Sequence, residues 1–378
     1  QTIYSYYAEA VINDVLNDLV EQKGVSRDTA RTLLYSGGYQ VYSCYDASIQ
    51  QAIDDVYTNL DNMPQRPSAS GQQFESAIAV MDPYTGEIKG LSGGTGEKTI
   101  NFGTNRATQS KRPPGSSIKP IATYGPAMEL GLITQYTQVN DAADIKLTGT
   151  SWYPKNSGGG NYGVITIREA LQRSLNTVSA QILDKLTPRA SYEFLKDKLG
   201  VTSLAESDCD YAPLALGQLT NGITVREMTQ AYSAFVNDGV FTYGRTYSYV
   251  KDSSGEIVLE NPARTIVAFK ANTAWNMADM LCNAVNSGTG SEARLTGMSV
   301  GGKTGTAEMF ENGESFDNGL FIAFAPFDDP QIVICVVGEG AGHGAYVAPV
   351  VRDMLDEFFT ADNVENVDAV PTENTLLR

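Results

Sequence analysis

The chain has 378 residues, enough for two or three domains at roughly 100–200 residues each, and its 42% hydrophobic and 19% charged shares are those of a globular protein. Lys+Arg number 27 against Asp+Glu 44, a net charge of −17, which excludes the basic face a nucleic-acid binder needs. The single histidine, His343, excludes a His-rich zinc site and would be the only imidazole open to a Ser-His-Asp triad.

Cys44, Cys209, Cys282 and Cys335 are widely spaced and form no CxxC, so they read as free structural thiols. Cys335 lies in the apolar run QIVICVV and Cys282 in a helical pattern. No run of 18 apolar residues and no signal peptide occurs. The chain opens at Gln1 in helix-like sequence without an initiator Met, as a piece of a longer protein would.

Residues 8–22 carry apolar positions at helical spacing, with Gly24 as a stop and Ser26 as the cap of a second helix to about residue 35. Residues 39–45 alternate like a strand, and Asp46 caps a helix to about residue 60. These elements make a small α/β module at 1–65, marginal on its own. A polar Pro/Ser/Gly stretch at 62–73 marks a boundary, and the main domain is expected over 66–360. It starts with a hairpin, strands at 76–81 and 88–91 around the turn DPYTGE.

A loop follows to Arg112, then a helical run at 116–130, a Gly-rich loop at 145–163 and a helix opening at Thr166. Helices are expected at 189–199, 224–237 and 272–286, the last burying Trp275, with a strand pair at 240–259. Strands at 300–306, 320–325 and 331–337 and a helix at 348–359 close the domain. Strands at both ends with helices between predict an α+β fold, its mostly antiparallel sheet built from N- and C-terminal pieces. Residues 361–378 read as a flexible polar tail.

Three short motifs stand out. Ser116-Ser117-Ile118-Lys119 is an SxxK at a predicted helix start, where residues three apart share a face and unpaired N–H groups favour an oxyanion. Ser248-Tyr249-Val250-Lys251 also matches, but in a strand-like run, where positions three apart face opposite ways. Ser174-Leu175-Asn176 places a hydroxyl and a carboxamide in a turn between helices; alone it reads as a polar turn or C-cap. Lys303-Thr304-Gly305-Thr306, after Gly301-Gly302, reads as an edge strand whose glycine admits a close neighbour.

In this order and context, SxxK, SxN and KTG resemble the set of penicillin-binding proteins and class A β-lactamases. Leu175 stands where those β-lactamases carry Asp. The stretches 106–120, 152–176, 215–239 and 300–308 resemble the transpeptidase domain of class A penicillin-binding proteins, and 24–53 is similar to the linker preceding it. The glycosyltransferase domain and membrane helix of that class are not among these residues.

The resemblance implies a β-lactamase/transpeptidase-like fold and a serine D,D-transpeptidase cross-linking peptidoglycan stem peptides and acylated by β-lactams. It implies Ser116 as nucleophile, Lys119 as its base, Ser174 as proton relay, Asn176 as donor to the substrate amide and Lys303 as the second cation. Thr304, Gly305 and Thr306 would bind the terminal carboxylate, with N–H groups of Ser116 and Thr306 as oxyanion hole, and Trp152 would line the groove. His343 is expected at a loop or cleft rim. No metal or organic cofactor is implied. The implied partners are stem peptides, β-lactams and other cell-wall synthesis proteins. The parent protein would be anchored at the extracytoplasmic face of the bacterial membrane. The alternatives are a serine β-lactamase, whose deacylating Glu motif is not found, a D,D-carboxypeptidase and a β-lactam-sensing receptor domain.

Overall fold

A computed structural model describes residues 2–64, 74–311 and 314–359. Most of the boundary expected at 62–73, and all of the tail expected at 361–378, lie outside the described residues.

The N-terminal elements follow their sequence signals. Helix α1 (Tyr6–Lys23) starts where the Ser5 hydroxyl accepts from Ala8 N–H, and it ends at Gly24 in the left-handed region (φ 64°). Helix α2 (Arg27–Ser36) is capped by Ser26. Strand β1 (Gln40–Ser43) leads to α3 (Ala47–Tyr57), whose first N–H groups meet the Asp46 carboxylate. The expected hairpin is β2 (Glu75–Met81) and β3 (Ile88–Ser92).

After β4 (Lys111–Arg112), the helix expected at 116–130 is broken into three pieces. A 3-10 turn (Gly115–Ile118), a π-helical turn (Pro120–Tyr124) and α4 (Gly125–Glu129) follow one another. Pro120 and Pro126 each remove a donor from the helical ladder, so a regular helix cannot run through. Strands β5 (Gln138–Asp141) and β6 (Gly163–Thr166) flank the Gly-rich loop. The Thr166 cap then opens α5 (Ile167–Gln172). Helices α6 (Asn176–Leu186), α7 (Pro188–Leu199) and α8 (Tyr211–Leu216), strand β7 (Ile223–Thr224) and α9 (Val225–Val236) follow.

The strand pair expected at 240–259 is instead part of a set of short strands: β8 (Val240–Thr242), β9 (Tyr247–Lys251), β10 (Ile257–Glu260) and β11 (Thr265–Val267). β8 pairs with β11, while β9 lies between β10 and β1. The β9–β10 pairing is local, but β1 comes from about 200 residues earlier in the chain, which local alternation does not encode. In α10 (Ala271–Ser287), Trp275 is 59% exposed rather than core. The buried stripe runs through Ala274, Met277, Ala278 and Leu281, and Trp275 falls off it.

Strands β12 (Gly301–Glu311), β13 (Glu314–Ala325) and β14 (Ile332–Glu339) and helix α11 (Ala348–Phe358) complete the described chain. The main sheet is antiparallel in the order β12-β13-β14-β2-β3, so C-terminal strands join the N-terminal hairpin through β14 and β2. Side chains alternate between two cores. Val333, Cys335 and Val337 face one; Ile332, Ile334 and Val336 face the other. Burial on both faces explains why IVICVV, residues 332–337, is uniformly apolar.

The outer side of β3 is covered by the N-terminal elements. Gln50 brackets Leu91, its amide donating to Leu91 O (3.1 Å) and its carbonyl accepting from Leu91 N–H (3.0 Å). Tyr7 donates its hydroxyl proton to Ile88 O (2.6 Å), and Asp46 N–H donates to Lys89 O (2.9 Å). Helix α1 places Val15 and Leu19 in one core, and α3 places Ile49 and Ile53 in the other.

Candidate active site

The three motifs meet in one cleft of about 500 Å³. Ser116, Ser174, Asn176, Thr304 and Thr306 line it. Ser116 sits on the 3-10 turn, Ser174 between α5 and α6, and the threonines on edge strand β12.

Glycines make the approach of turn and strand possible. A Cβ on Gly115 (φ 55°) would lie 2.2 Å from Thr306 O, and one on Gly305 would lie 2.2 Å from Pro114 O. Only residues without side chains permit these two backbones to lie so close. Ser117, the middle of the motif, turns inward: its hydroxyl donates to Pro114 O (2.7 Å), and Tyr232 donates to its carbonyl (2.6 Å).

Lys119 is fully buried. Its Nζ donates to Ser174 O (2.7 Å), Asn176 Oδ1 (2.7 Å) and Ser174 Oγ (3.4 Å). Lys303, equally buried, donates to the same Ser174 Oγ (2.9 Å) and to Thr304 O (3.0 Å). Burial holds the Lys119 amine well below the ordinary lysine range, and the neighbouring Lys303 charge adds to this. Burial lowers Lys303 to about 7. A lysine on an edge strand is ordinarily a solvated charge, and here it is not.

The sequence placed the Ser116 hydroxyl and the Lys119 amine on one face. They share the region, but among the described residues Lys119 makes no hydrogen bond to Ser116; its three donors meet Ser174 and Asn176. The irregular turn and the SxN acceptors together set this. Ser174 takes a left-handed φ of 57°, rare for serine, which turns both its carbonyl and its hydroxyl to Lys119. Asn176 Nδ2 donates to Lys155 O (2.8 Å). That uses one of the two N–H donors of the amide and leaves the second for the expected donation to a substrate amide.

Thr304 Oγ1 donates to Thr289 Oγ1 (3.0 Å), and Thr306 Oγ1 accepts from Gly344 N–H (3.0 Å). His343 lies at the cleft wall as expected, its Nδ1 accepting from Ala345 N–H (3.0 Å). Burial and then the Lys303 charge lower its pKa, against the opposing pull of Asp317. Gly305 packs against the turn and Trp152 stacks on Tyr211 at 6.4 Å; neither is among the cleft-lining residues. Trp152 faces the core because its loop folds back over α8.

The cleft also takes in Thr289, Gln218, Arg173, Glu308 and Asp317, which sequence reasoning assigned no role. Gln218, Arg173 and Glu308 fall within stretches quoted for their family likeness, but no local pattern marks any of the five. Among the described residues, no group of three or more His, Cys, Asp and Glu side chains is placed to hold a metal ion. Ser248, of the second SxxK, lies on β9 with Cys44 Sγ at 3.8 Å and is not among the cleft-lining residues. All four cysteines are free thiols.

Residues 76–356 match the family described as the penicillin binding protein transpeptidase domain. Penicillin-binding protein 1A of Clostridium acetobutylicum is 33% identical over 322 residues, covering 82% of this chain and 39% of that protein. The protein of the same name from Clostridium botulinum strain Hall is 31% identical over 366 residues, covering 94% and 43%. The chain thus spans about two fifths of the length of these relatives. Among solved structures, the D,D-transpeptidase domain of a peptidoglycan glycosyltransferase from Eggerthella lenta superposes with a TM-score of 0.71 at 21% identity, covering 92% of this chain and 87% of that one. An imipenem acyl-enzyme of penicillin-binding protein A from M. tuberculosis gives 0.70 at 20% identity, covering 91% and 86%. The fold is therefore the α+β transpeptidase fold.

Proposed function

The chain belongs to the penicillin-binding protein transpeptidase family, and we propose that it is a serine D,D-transpeptidase acting on D-Ala-D-Ala stem peptides of peptidoglycan. The observation that carries this is the meeting of two buried lysines on Ser174 Oγ, behind the wall of a cleft that Ser174 and Ser116 line.

A serine hydroxyl is inert until a base takes its proton. In this reading the neutral amine of Lys119 is that base, favoured by burial and by the Lys303 charge. Ser116 Oγ attacks the carbonyl carbon of the penultimate D-Ala. The oxyanion rests on N–H groups of Ser116 and Thr306, whose backbones the glycines bring side by side. The C–N bond then breaks, and the terminal D-Ala amine leaves with a proton passed through Lys119 and Ser174. Lys303, Thr304 and Thr306 hold the terminal carboxylate. An acceptor amine attacks the acyl-enzyme and restores Ser116; water in its place gives carboxypeptidation. Asn176 orients Lys119 through Oδ1.

The wider setting belongs to the same proposal: a parent protein at the extracytoplasmic face of the membrane, with a glycosyltransferase domain before this chain and other cell-wall synthesis proteins as partners. No described helix is long and apolar enough to cross a membrane.

Intact-mass measurement after benzylpenicillin, and after a D-Ala-D-Ala peptide with an amine acceptor, tests the reading. A lasting penicilloyl adduct on Ser116 and a transfer product are expected. Rapid penicillin turnover without an adduct would indicate a β-lactamase instead. A lasting adduct with no peptide turnover would indicate a receptor domain.

A further inference from the structure

Asn176, the residue that holds Lys119, is the first residue of α6. The cap position before it is Leu175, which has no side-chain acceptor to offer the helix. The missing cap comes from the Gly-rich loop. Asn156 Oδ1 accepts from Asn176 N–H (2.8 Å) and Thr177 N–H (3.2 Å).

The other end of the Asn156 amide is fixed as firmly. Nδ2 donates to Asp141 Oδ1 (2.8 Å) and Gly160 O (3.0 Å). Donors lie on one side and acceptors on the other, so only one orientation of the amide fits. Asp141 is 1% exposed and Asn156 7%. Asp141 also accepts from the Thr177 hydroxyl, Asn161 Nδ2 (3.1 Å) and Tyr162 N–H (2.8 Å). The neighbouring Lys155 carbonyl takes Asn176 Nδ2. The loop therefore grips Asn176 at its main chain through Asn156 and at its side chain through Lys155.

We infer that Asn156 and Asp141 are positioning residues for acyl transfer: together they cap α6 from the loop and so aim Asn176 Oδ1 at the Lys119 amine. Neither touches the cleft, since the lining residues include Ser157 and Asn176 but not these two. The inference rests on the acyl-transfer reading of the site. A displacement of about 1 Å at a catalytic group can cost on the order of 100-fold in rate, and a loosened helix start displaces Asn176 and Lys119 together.

The test is the second-order rate of acylation by a fluorescent penicillin across pH, with Tm measured beside it, on the full chain and three variants. Asn156→Ala is expected to lower the rate by about 100-fold and Tm by only a few degrees, the cost of the lost helix cap. Its acidic limb is expected at lower pH, because an ammonium that loses an acceptor becomes more acidic. Asn156→Asp keeps the acceptor for the helix but sets two carboxylates together, and is expected to be slow. The exchange Asp141→Asn with Asn156→Asp restores a donor opposite a carboxylate and is expected to recover much of the rate. Unchanged acylation in Asn156→Ala would overturn the inference. A rate loss that follows Tm alone, with no shift of the limb and no recovery in the exchange variant, would also overturn it. Failure of the unmodified protein to acylate at Ser116 would show itself before any variant is compared, and would fail the acyl-transfer reading itself.

Discussion

The amines of Lys119 and Lys303 lie 3.4 and 2.9 Å from one oxygen, Ser174 Oγ. Two charged ammonium groups cannot share so small a buried space cheaply, and burial already disfavours each. The pair therefore favours loss of a proton near neutral pH. Lys303→Met removes the second, smaller cause of the Lys119 shift and leaves burial, the larger one. The acidic limb of the acylation profile is expected to move to higher pH while staying below the range of a solvated lysine. The rate also falls, because Lys303 contacts Ser174; the position of the limb is the diagnostic, read by acylation kinetics against pH.

Burying Lys303 also has a stability signature. Its pKa is about 7 in the folded state and near 10.5 when exposed, so the folded protein binds fewer protons between those values. Stability from this group therefore rises with pH across that window and is lowest below it. Thermal unfolding should find Lys303→Met more stable than the parent at pH 7, with the difference narrowing toward pH 10. A difference that widens with pH would contradict the assignment.

Ser116→Ala is expected to abolish covalent labelling by fluorescent penicillin. Ser248→Ala, in the second SxxK, should label at the parent rate, since β9 carries it away from the cleft. Gel fluorescence after a fixed exposure distinguishes them.

Gly305→Ala places a methyl group 2.2 Å from Pro114 O and 3.0 Å from Ser117 Oγ. The contact is with backbone, which cannot swing aside. Overpacking of this kind costs about 1–3 kcal/mol. A lower Tm and slower acylation are expected together, because the displaced turn carries Ser116. Calorimetry and labelling kinetics check the two effects.

The motifs and most elements were legible because their signals are local. Ser26, Asp46 and Thr166 cap helices where a helix pattern begins, and β2 and β3 flank a turn-forming DPYTGE. The edge position of Lys303 was legible too, from glycines beside an apolar run. What escaped depends on distant contacts. Nothing near Lys119 says that its amine will meet Ser174 and Asn176 rather than Ser116. Trp275 was placed in the core by its helix, but the face it occupies depends on which stripe packs. Asn156 reads as an ordinary loop residue until α6 is set beside it. Thr289 enters the cleft only because the chain after α10 returns to β12.

Residues 2–64 close β3. Edge strands left bare are templates for pairing with a second chain. Here Tyr7, Asp46 and Gln50 occupy the hydrogen-bonding positions a foreign strand would need, while α1 and α3 straddle the edge and fill the cores on either side. A chain trimmed to the family-matching span, 76–356, would keep every catalytic motif yet expose an adhesive border and two greasy hollows. The piece of chain that keeps this edge and these cores covered is thus larger than the piece that carries the chemistry.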